Sequence, residues 1–300
     1  MSLAKSSSLG VFVQPSTVDA LVTESRSITE RGFGSVWVPQ IFGYDTLTAL
    51  GVAAHEVPGV RFGTAVVPTY PRHPFMLAAQ ARTLQQIAGG RFTLGIGLSH
   101  QIVIESMLGL SFDKPVRHLR EYLDILLPLV RGESVSAAGE TLTFHGSVDV
   151  ASEPVPVLVA ALGSQMLTVT GRRAEGTVTW MTGPATIRDH VVPTITAAAA
   201  DAGRPAPRVV VALPVAVTDD VAGARDLAAR NFEMYGILPS YRAMLDREGA
   251  AGPGDVAIVG DAATVRAGIE AVLEGGATEF VTVPFANPAE TLDVVASFIG

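Results

Sequence analysis

The chain has 300 residues, of which 48% are hydrophobic, so it can bury the core of one large domain spanning residues 1–300. Its net charge of −8 gives no attraction to a phosphate backbone, and we therefore expect no nucleic-acid partner. The lack of cysteine excludes thiol catalysis and iron–sulfur clusters, and neither of the two lysines, Lys5 and Lys114, lies in a segment predicted to be rigid enough for Schiff-base chemistry.

The sequence carries no targeting or membrane-spanning signal. Its first eight residues lack an apolar signal core, and no uninterrupted apolar run approaches the roughly 18 residues that cross a bilayer. We therefore expect a cytoplasmic protein without a membrane partner.

Eight short apolar or β-branched runs predict strands. They cover residues 9–13, 35–39, 60–66, 92–96, 155–160, 177–180, 209–217 and 280–284. These runs do not alternate strictly between polar and apolar residues, as expected for parallel strands that are covered on both faces. Amphipathic stretches that end in glycine, for example at Gly32 and Gly276, separate most of them. The alternation predicts an α/β fold, a (β/α)₈ TIM barrel, with an open doubly wound sheet as the alternative.

Two helix starts are marked by capping residues. Ser16, with Asp19 three residues later, resembles a capping box. Asp261 is expected to cap the helix whose buried face contains Val265 and Ile269.

Insertions are predicted after the fourth strand and near the seventh. Residues 101–131 are more than one crossover helix requires, and residues 139–146 are typical of a small hairpin. Residues 232–254 form another long connection, which contains Tyr235 and Tyr241. Long loops of a barrel often act as lids or substrate walls, and a dimer contact or disorder is the alternative for residues 232–254.

Active sites of (β/α)₈ barrels lie at the carboxyl ends of the strands. These ends are poor in carboxylates here, and Asp219 and Asp220 have no partner carboxylate at another strand end, which disfavours a glycosidase. The histidines form neither His-x-His nor His-Glu-x-x-His, so we expect no metal site. His100 directly follows the fourth strand and is either a site residue or a loop-packing residue, whereas His190 is predicted to be a solvated or packed surface residue.

Two segments with glycine admit both a structural and a functional interpretation. Gly95 and Gly97 match only half of the dinucleotide-binding fingerprint, and they either pack the barrel wall or let the backbone approach a planar ligand. Gly163 and Ser164 precede a predicted helix at 165–172, where Ser164 is either an ordinary N-cap or part of a phosphate site.

Two motifs carry a resemblance to a known family. Residues 63–74 read Gly-Thr-Ala-Val-Val-Pro-Thr-Tyr-Pro-Arg-His-Pro, and residues 89–100 read Gly-Gly-Arg-Phe-Thr-Leu-Gly-Ile-Gly-Leu-Ser-His. Together with residues 32–39, 115–122 and 258–284, they resemble the luciferase-like monooxygenase superfamily, particularly its branch dependent on the deazaflavin coenzyme F420.

The resemblance implies a set of cofactor contacts. Family members have a non-prolyl cis peptide bond that supports the flavin or deazaflavin ring, and its position matches Ala65 and Val66 here. By the same resemblance, Thr64 would flank the ring. The residues that would border the ring are Gly97, Leu98, Ser99 and His100, and those that would meet the phosphate are Leu162, Gly163 and Ser164.

Two departures from the family pattern narrow the expected chemistry. F420-dependent sugar-phosphate dehydrogenases of the superfamily have a histidine base after the second strand and an acid after the fourth, where this chain has Gln40 and His100. They also use lysines that residues 182–184 do not provide. We therefore expect a less polar, non-phosphorylated substrate. Aromatic residues expected near the mouth, with a place in the core as the alternative for several of them, are Trp37, Phe42, Tyr44, Tyr70 and Trp180.

The leading hypothesis is an F420-dependent oxidoreductase that moves hydride between the deazaflavin and a small organic substrate. His100 would be its proton donor or hydrogen-bonding electrophile, and Gln40 and Ser99 would be polar contacts. An FMN-dependent monooxygenase and a non-catalytic flavin- or deazaflavin-binding protein are the alternatives. A homodimer is expected because dimers are common in the superfamily.

Overall fold

The polypeptide from Ser8 to Ile299, which the computed structural model describes, alternates strands with helices. The strands of this part of the chain are β1 (Leu9–Phe12), β2 (Ser35–Val38), β3 (Arg61–Thr64), β4 (Val67–Pro68), β5 (Phe92–Gly97), β6 (Val135–Ala138), β7 (Thr143–Gly146), β8 (Val157–Val159), β9 (Gly176–Trp180), β10 (Arg208–Val217), β11 (Ile258–Gly260) and β12 (Glu279–Pro284).

Eight parallel strands close into a barrel in the order β1–β2–β3–β5–β8–β9–β10–β12. β12 pairs with β1, and β10 pairs with both β9 and β12, so the ring of hydrogen bonds has no open edge between its first and last strands. This confirms the predicted (β/α)₈ barrel and excludes the open sheet. Each of the eight predicted strand regions overlaps one barrel strand. β11, which pairs with the end of β10, is absent from the predicted set.

Helices cover the outside of the barrel. They are α1 (Val18–Glu30), α2 (Thr46–Glu56), α3 (Pro74–Ile87), α4 (Pro115–Val130), α5 (Ser164–Arg173), α6 (Pro184–Thr186), α7 (Val192–Asp201), α8 (Val221–Asn231), α9 (Glu233–Ile237), α10 (Pro239–Glu248), α11 (Ala262–Glu274) and α12 (Pro288–Ala296). Short π-helical segments lie at Ile102–Met107 and Ile187–Val191. Within residues 8–299, no helix has the length and apolar character needed to cross a membrane.

Local capping chemistry sets the helix starts. Thr17, and not Ser16, is the N-cap of α1, and its hydroxyl accepts a hydrogen bond from the amide of Ala20. The predicted cap is therefore wrong by one residue, because two adjacent hydroxyls suit the same role. Asp261 caps α11 as predicted, accepting from the amide of Thr264 at 2.8 Å.

Both predicted insertions are present. After β5 the chain forms a π-helical segment, α4 and an antiparallel hairpin of β6 and β7. The hairpin begins at Val135, earlier than predicted, because its first strand precedes the glycine that marks the turn. After β10 the chain forms α8, α9 and α10 before it returns to the barrel wall at β11.

Trp37 fills the inside of the barrel. Its side chain is 1% exposed, and its indole N–H donates to Ser35 Oγ and to Glu279 Oε1, each at 2.9 Å. A Cβ atom at position 63 would lie 2.4 Å from the indole, so Gly63 provides the space for the ring. Ser35 and Glu279 begin β2 and β12, so the indole points to the amino-terminal end of the barrel. Of the two alternatives for Trp37, a place near the mouth and a place in the core, the structure supports the core.

Candidate functional site

The carboxyl ends of the barrel strands surround an apolar surface, which we call the floor. It consists of the partly buried residues Phe12, Ala65, Val66, Ala160 and Trp180, which pack on the buried cluster inside the barrel. The rings of Phe12 and Trp180 stack with their centroids 6.4 Å apart and their planes 15° apart. Because all five side chains are aliphatic or aromatic, the floor can support one face of a flat ring.

A cis peptide bond joins Ala65 and Val66, at the position that the family resemblance predicts. The amide of Ala65 donates to the carbonyl of Val38 at 3.0 Å, and the carbonyl of Val66 accepts from the amide of Gln40 at 3.3 Å. These two bonds join the end of β3 to the end of β2, and so place both residues of the cis bond on the floor.

Glycines on β5 make room for the end of β3. The buried hydroxyl of Thr64 donates to the carbonyl of Gly95 and accepts from its amide, both at 2.8 Å. A Cβ atom at Gly95 would lie 1.9 Å from the carbonyl oxygen of Thr64, and one at Gly97 would lie 2.7 Å from the side chain of Val66. Gly95 and Gly97 therefore pack the barrel wall. The Thr64 hydroxyl is already engaged by the backbone beneath the floor.

Gln40 fastens the loop that follows β2. Its Oε1 accepts from the amide of Thr46 at 2.8 Å and from Arg72 at 3.4 Å, and its Nε2 donates to the carbonyl of Tyr44 at 3.2 Å. Arg72 also forms an ion pair with Asp45 in the same loop. Because both ends of the Gln40 amide are engaged, the side chain is held at a fixed position next to the floor.

The turn after β5 carries the predicted rim residues Leu98, Ser99 and His100. Ser99 has a φ of 62°, so the chain turns through the left-handed region directly before His100. Burial lowers the pKa of His100, which leaves the imidazole mostly neutral at pH 7. Neither ring nitrogen of His100 has a hydrogen-bond partner among residues 8–299. One nitrogen is therefore available to accept a proton and the other to donate one.

Aromatic rings from the insertion after β10 cover the mouth. Tyr235 on α9 meets Trp180 edge to face, with ring centroids 5.7 Å apart, and meets Tyr241 on α10 at 4.9 Å. Tyr241 contacts the ring of His100 at 5.7 Å, and Phe232 contacts Trp180 at 5.4 Å. The rings thus form a row from the end of β9 to the turn after β5. This arrangement favours the interpretation of residues 232–254 as a lid or substrate wall.

Glu248 anchors this cover at the end of α10. Its carboxylate accepts from the backbone amides of Ala185 and Thr186 at 3.1 and 2.7 Å. The hydroxyl of Thr186 donates to the carbonyl of Met244 at 3.3 Å. Helix α10 is therefore tied to the segment that follows β9.

A second aromatic cluster, which the sequence did not indicate, holds the segment after β4. Tyr70 stacks on His118 with ring centroids 3.9 Å apart and on Phe112 at 5.0 Å. His118 Nε2 lies 2.9 Å from Thr69 Oγ1, and the amide of Thr69 donates to the carbonyl of Gly97. Burial lowers the pKa of His118 to about 4, so its ring is neutral at pH 7.

An open groove lies beside the start of α5. Gly163 is the N-cap of α5, and Ser164 is the first residue of the helix, so the expectation of an ordinary cap by Ser164 is wrong. Among residues 8–299, no side chain accepts from the first amides of the helix, which leaves them available to an anion. Among the residues that line the groove are Ser164, Thr168 and Arg120, and the exposed Arg120 provides positive charge.

His190 supports the turn that precedes α5. It is 9% exposed, and its Nε2 lies 2.8 Å from the carbonyl oxygen of Leu162. The interpretation of His190 as a surface residue is therefore wrong. This contact could not be predicted from the sequence, because Leu162 is 28 positions away and the partner is a backbone atom.

The site residues do not resemble a metal centre. Within residues 8–299, no group of three or more histidine, aspartate or glutamate side chains is arranged to hold a metal ion. Asp220, which the sequence placed at a strand end, instead caps α8 by accepting from the amide of Gly223 at 2.9 Å.

The chain is similar to a group of known oxidoreductases. A family model described as luciferase-like monooxygenase matches residues 6–279. The 5,10-methylenetetrahydromethanopterin reductase of Methanolobus tindarius is 27% identical over 266 residues, which cover 81% of this chain and 78% of that protein. The coenzyme F420-dependent tetrahydromethanopterin reductase of Methanopyrus kandleri aligns with a TM-score of 0.82 at 21% identity and covers 99% of both chains. The oxygenating constituent of 3,6-diketocamphane monooxygenase from Pseudomonas putida, solved with FMN, aligns with a TM-score of 0.76 at 17% identity over 98% of both chains. The two structural likenesses confirm the fold.

Proposed function

The chain belongs to the luciferase-like monooxygenase family, and from this premise we propose that it is a coenzyme F420-dependent oxidoreductase acting on a small, non-phosphorylated organic substrate. The observation that carries the proposal is the apolar floor, which contains the Ala65–Val66 cis bond and lies under a row of aromatic rings. When bound, the deazaflavin would supply the carbon that gives or takes a hydride. The protein would orient the reactants and exclude water.

The residues present fit a flat ring with an anionic chain. Ala65 and Val66 would lie under the ring, and the turn from Gly97 to Ser99 would border it. Leu162, Gly163 and Ser164 would meet the phosphate, because the first amides of α5 have no side-chain acceptor. Thr64, whose hydroxyl bonds Gly95, would hold the floor from below without touching the ring through its oxygen.

His100 and Gln40 would have different tasks. His100 would exchange the proton that accompanies hydride transfer at a ring nitrogen, since its imidazole has no partner among the described residues and a pKa lowered by burial. Gln40 would act mainly as a positioning residue, because Thr46, Tyr44 and Arg72 already engage its amide. His100→Ala should reduce turnover without loss of F420 binding.

A phosphorylated substrate is disfavoured by the charges around the mouth. Lys114 is the one lysine in the range 8–299, and it pairs with Glu140 at 3.9 Å. The segment after β9, where the sugar-phosphate dehydrogenases of the family provide lysine, contains Thr182, Gly183 and Pro184. The aromatic cover instead suits a neutral compound.

Titration of the purified protein with F420 and with FMN tests the cofactor. We expect saturable F420 binding, followed by a change in coenzyme fluorescence, and much weaker binding of FMN. Tight FMN binding without F420 binding would overturn the proposal in favour of an FMN-dependent monooxygenase, the function in the name of the Pseudomonas putida enzyme that shares the fold. Binding of F420 with no change of its redox state across a broad panel of alcohols, ketones and enones would favour a non-catalytic binding protein.

The expected homodimer has a candidate surface on the outside of the barrel. Val52 on α2 is 45% exposed, and Met76 and Ile87 on α3 are 53% and 42% exposed. Light scattering on the eluate of a size-exclusion column should give twice the mass of one chain, and a monomeric mass would remove this part of the proposal.

A further inference from the structure

The indole N–H of Trp180 is a buried donor, and the acceptor near it is the hydroxyl oxygen of Tyr235. No acceptor within residues 8–299 meets it with hydrogen-bond geometry, although the nitrogen is shielded from water. Tryptophan can only donate at this atom, and a buried donor without a partner is rare in folded proteins because it is unfavourable. Trp180 ends β9 and belongs to the floor, so the unused donor lies at the mouth of the barrel.

Tyr235 brings a second donor to the same place. Its ring meets Trp180 edge to face at 5.7 Å. Burial raises the pKa of Tyr235, and the Trp180 N–H, acting on the Tyr235 oxygen as a hydrogen-bond donor, lowers it; burial dominates, so the phenol keeps its proton at neutral pH. No hydrogen bond within the described residues uses the proton of this hydroxyl.

We propose that Trp180 Nε1 and the Tyr235 hydroxyl together bind one oxygen atom of the substrate, and that the substrate is a neutral carbonyl compound or the corresponding alcohol. This inference rests on the proposed function, because it places the substrate on the coenzyme-binding floor. A carbonyl oxygen has two lone pairs, which matches the two donors.

The surroundings of Trp180 and Tyr235 favour a neutral substrate. Burial and the neighbouring Tyr235 raise the pKa of Tyr241, and burial lowers the pKa of His100. No charged side chain contributes to either pKa shift. The carboxylate of Glu248, the acidic group at the end of α10, is engaged by the amides of Ala185 and Thr186. A charged substrate would be left without a counter-ion in this aromatic setting, which is unfavourable.

The two tryptophans of the chain permit a direct test by NMR. Trp37 donates to Ser35 and Glu279 inside the barrel, whereas no acceptor within residues 8–299 meets the Trp180 N–H with hydrogen-bond geometry, so the indole N–H signal of Trp37 is an internal reference. Protein loaded with F420 is titrated with cyclohexanone and, separately, with methylenecyclohexane, which has a similar shape but no acceptor oxygen. We expect cyclohexanone to move the Trp180 indole proton signal downfield in a saturable way and to leave the Trp37 signal in place. The variant Trp180→Phe assigns the two signals.

Single substitutions of tyrosines test whether the Tyr235 hydroxyl acts as the second donor. Tyr235→Phe should weaken cyclohexanone binding about 3- to 10-fold, as expected for one hydrogen bond, and should leave methylenecyclohexane binding unchanged. Tyr122→Phe is the control, because it removes a tyrosine hydroxyl that lies outside this row and donates to the carbonyl of Arg72 at 3.0 Å, and it should bind cyclohexanone like the wild type.

Three results would overturn the inference. They are the absence of a cyclohexanone-dependent shift at Trp180, an equal shift with methylenecyclohexane, and a shift produced by F420 alone that cyclohexanone does not change. The last result would show that the Trp180 N–H donates to the coenzyme and not to the substrate. Failure of F420 to bind in the preceding titration contradicts the proposed function. Normal F420 binding without a Trp180 shift contradicts only the two-donor site.

Discussion

The indole N–H of Trp37 donates to Oε1 of Glu279 over 2.9 Å at the amino-terminal end of the barrel. Trp37 is 1% exposed and Glu279 is 2% exposed. The other carboxylate oxygen of Glu279 lies 3.2 Å from Arg208 and 3.7 Å from Arg61. One carboxylate therefore closes the end of the barrel that lies opposite the mouth, so its contribution to stability can be separated from cofactor binding.

Glu279→Gln should lower the free energy of unfolding by about 1–3 kcal/mol, because the neutral amide no longer pairs with the partly buried arginines. Urea unfolding measures this change, and titration with F420 should show unaltered affinity. Glu30→Gln, at an exposed position without an ion pair among residues 8–299, is the control and should change stability little. Equal effects of the two substitutions would contradict the role given to Glu279.

Gly63→Ala should be destabilising because it introduces a Cβ atom 2.4 Å from the ring of Trp37. Overpacking of this kind typically lowers the free energy of unfolding by about 1–3 kcal/mol. Gly43→Ala is the matched control, since nothing lies within 4 Å of a Cβ atom there. Thermal unfolding of both variants compares the positions, and a melting temperature for Gly63→Ala no lower than that of Gly43→Ala would show that the ring can shift at no cost.

The sequence predicted the barrel strands because each buried strand is a continuous run of apolar residues. It could not predict where Trp37 points, because the room for its ring is made by Gly63 on the neighbouring strand β3. The two ends of a barrel strand are equally apolar, so the sequence does not show toward which end of the barrel a side chain points. That direction depends on contacts with neighbouring strands.

The cofactor side and the substrate side of the site differ in how far the sequence predicts them. The Ala65–Val66 cis bond could be located by family resemblance, because the motif around it is local. Tyr235 and Tyr241 lie in an insertion without a strong apolar period, and their contacts with Trp180 and His100 depend on tertiary packing alone. The sequence therefore predicted a lid or substrate wall at residues 232–254 as one alternative, but not the ring contacts that form the cover.

His118 makes stability depend on pH. A histidine in the unfolded chain has a pKa near 6.5, whereas burial lowers the pKa of folded His118 to about 4. Between these values the unfolded state binds more protons, so the free energy of unfolding falls as the pH falls. The contribution is about 2 kcal/mol between pH 7 and pH 5. His118→Gln lacks this titration, so urea unfolding at the two pH values should show a smaller loss for the variant. Parallel pH profiles of wild type and variant would contradict this explanation.

Ser164→Asp should change stability and cofactor affinity in opposite directions. Ser164 begins α5, whose first amides have no side-chain acceptor, so a carboxylate there should raise the free energy of unfolding by about 0.3–1 kcal/mol. The same negative charge would repel the phosphate proposed to bind at this helix start, and F420 affinity should fall roughly tenfold. Thermal unfolding and fluorescence titration measure the two effects. Ser164→Asn keeps the size of the new side chain without its charge, so it should bind F420 more tightly than Ser164→Asp. If the aspartate variant is more stable and yet binds F420 as well as the wild type, the phosphate lies elsewhere.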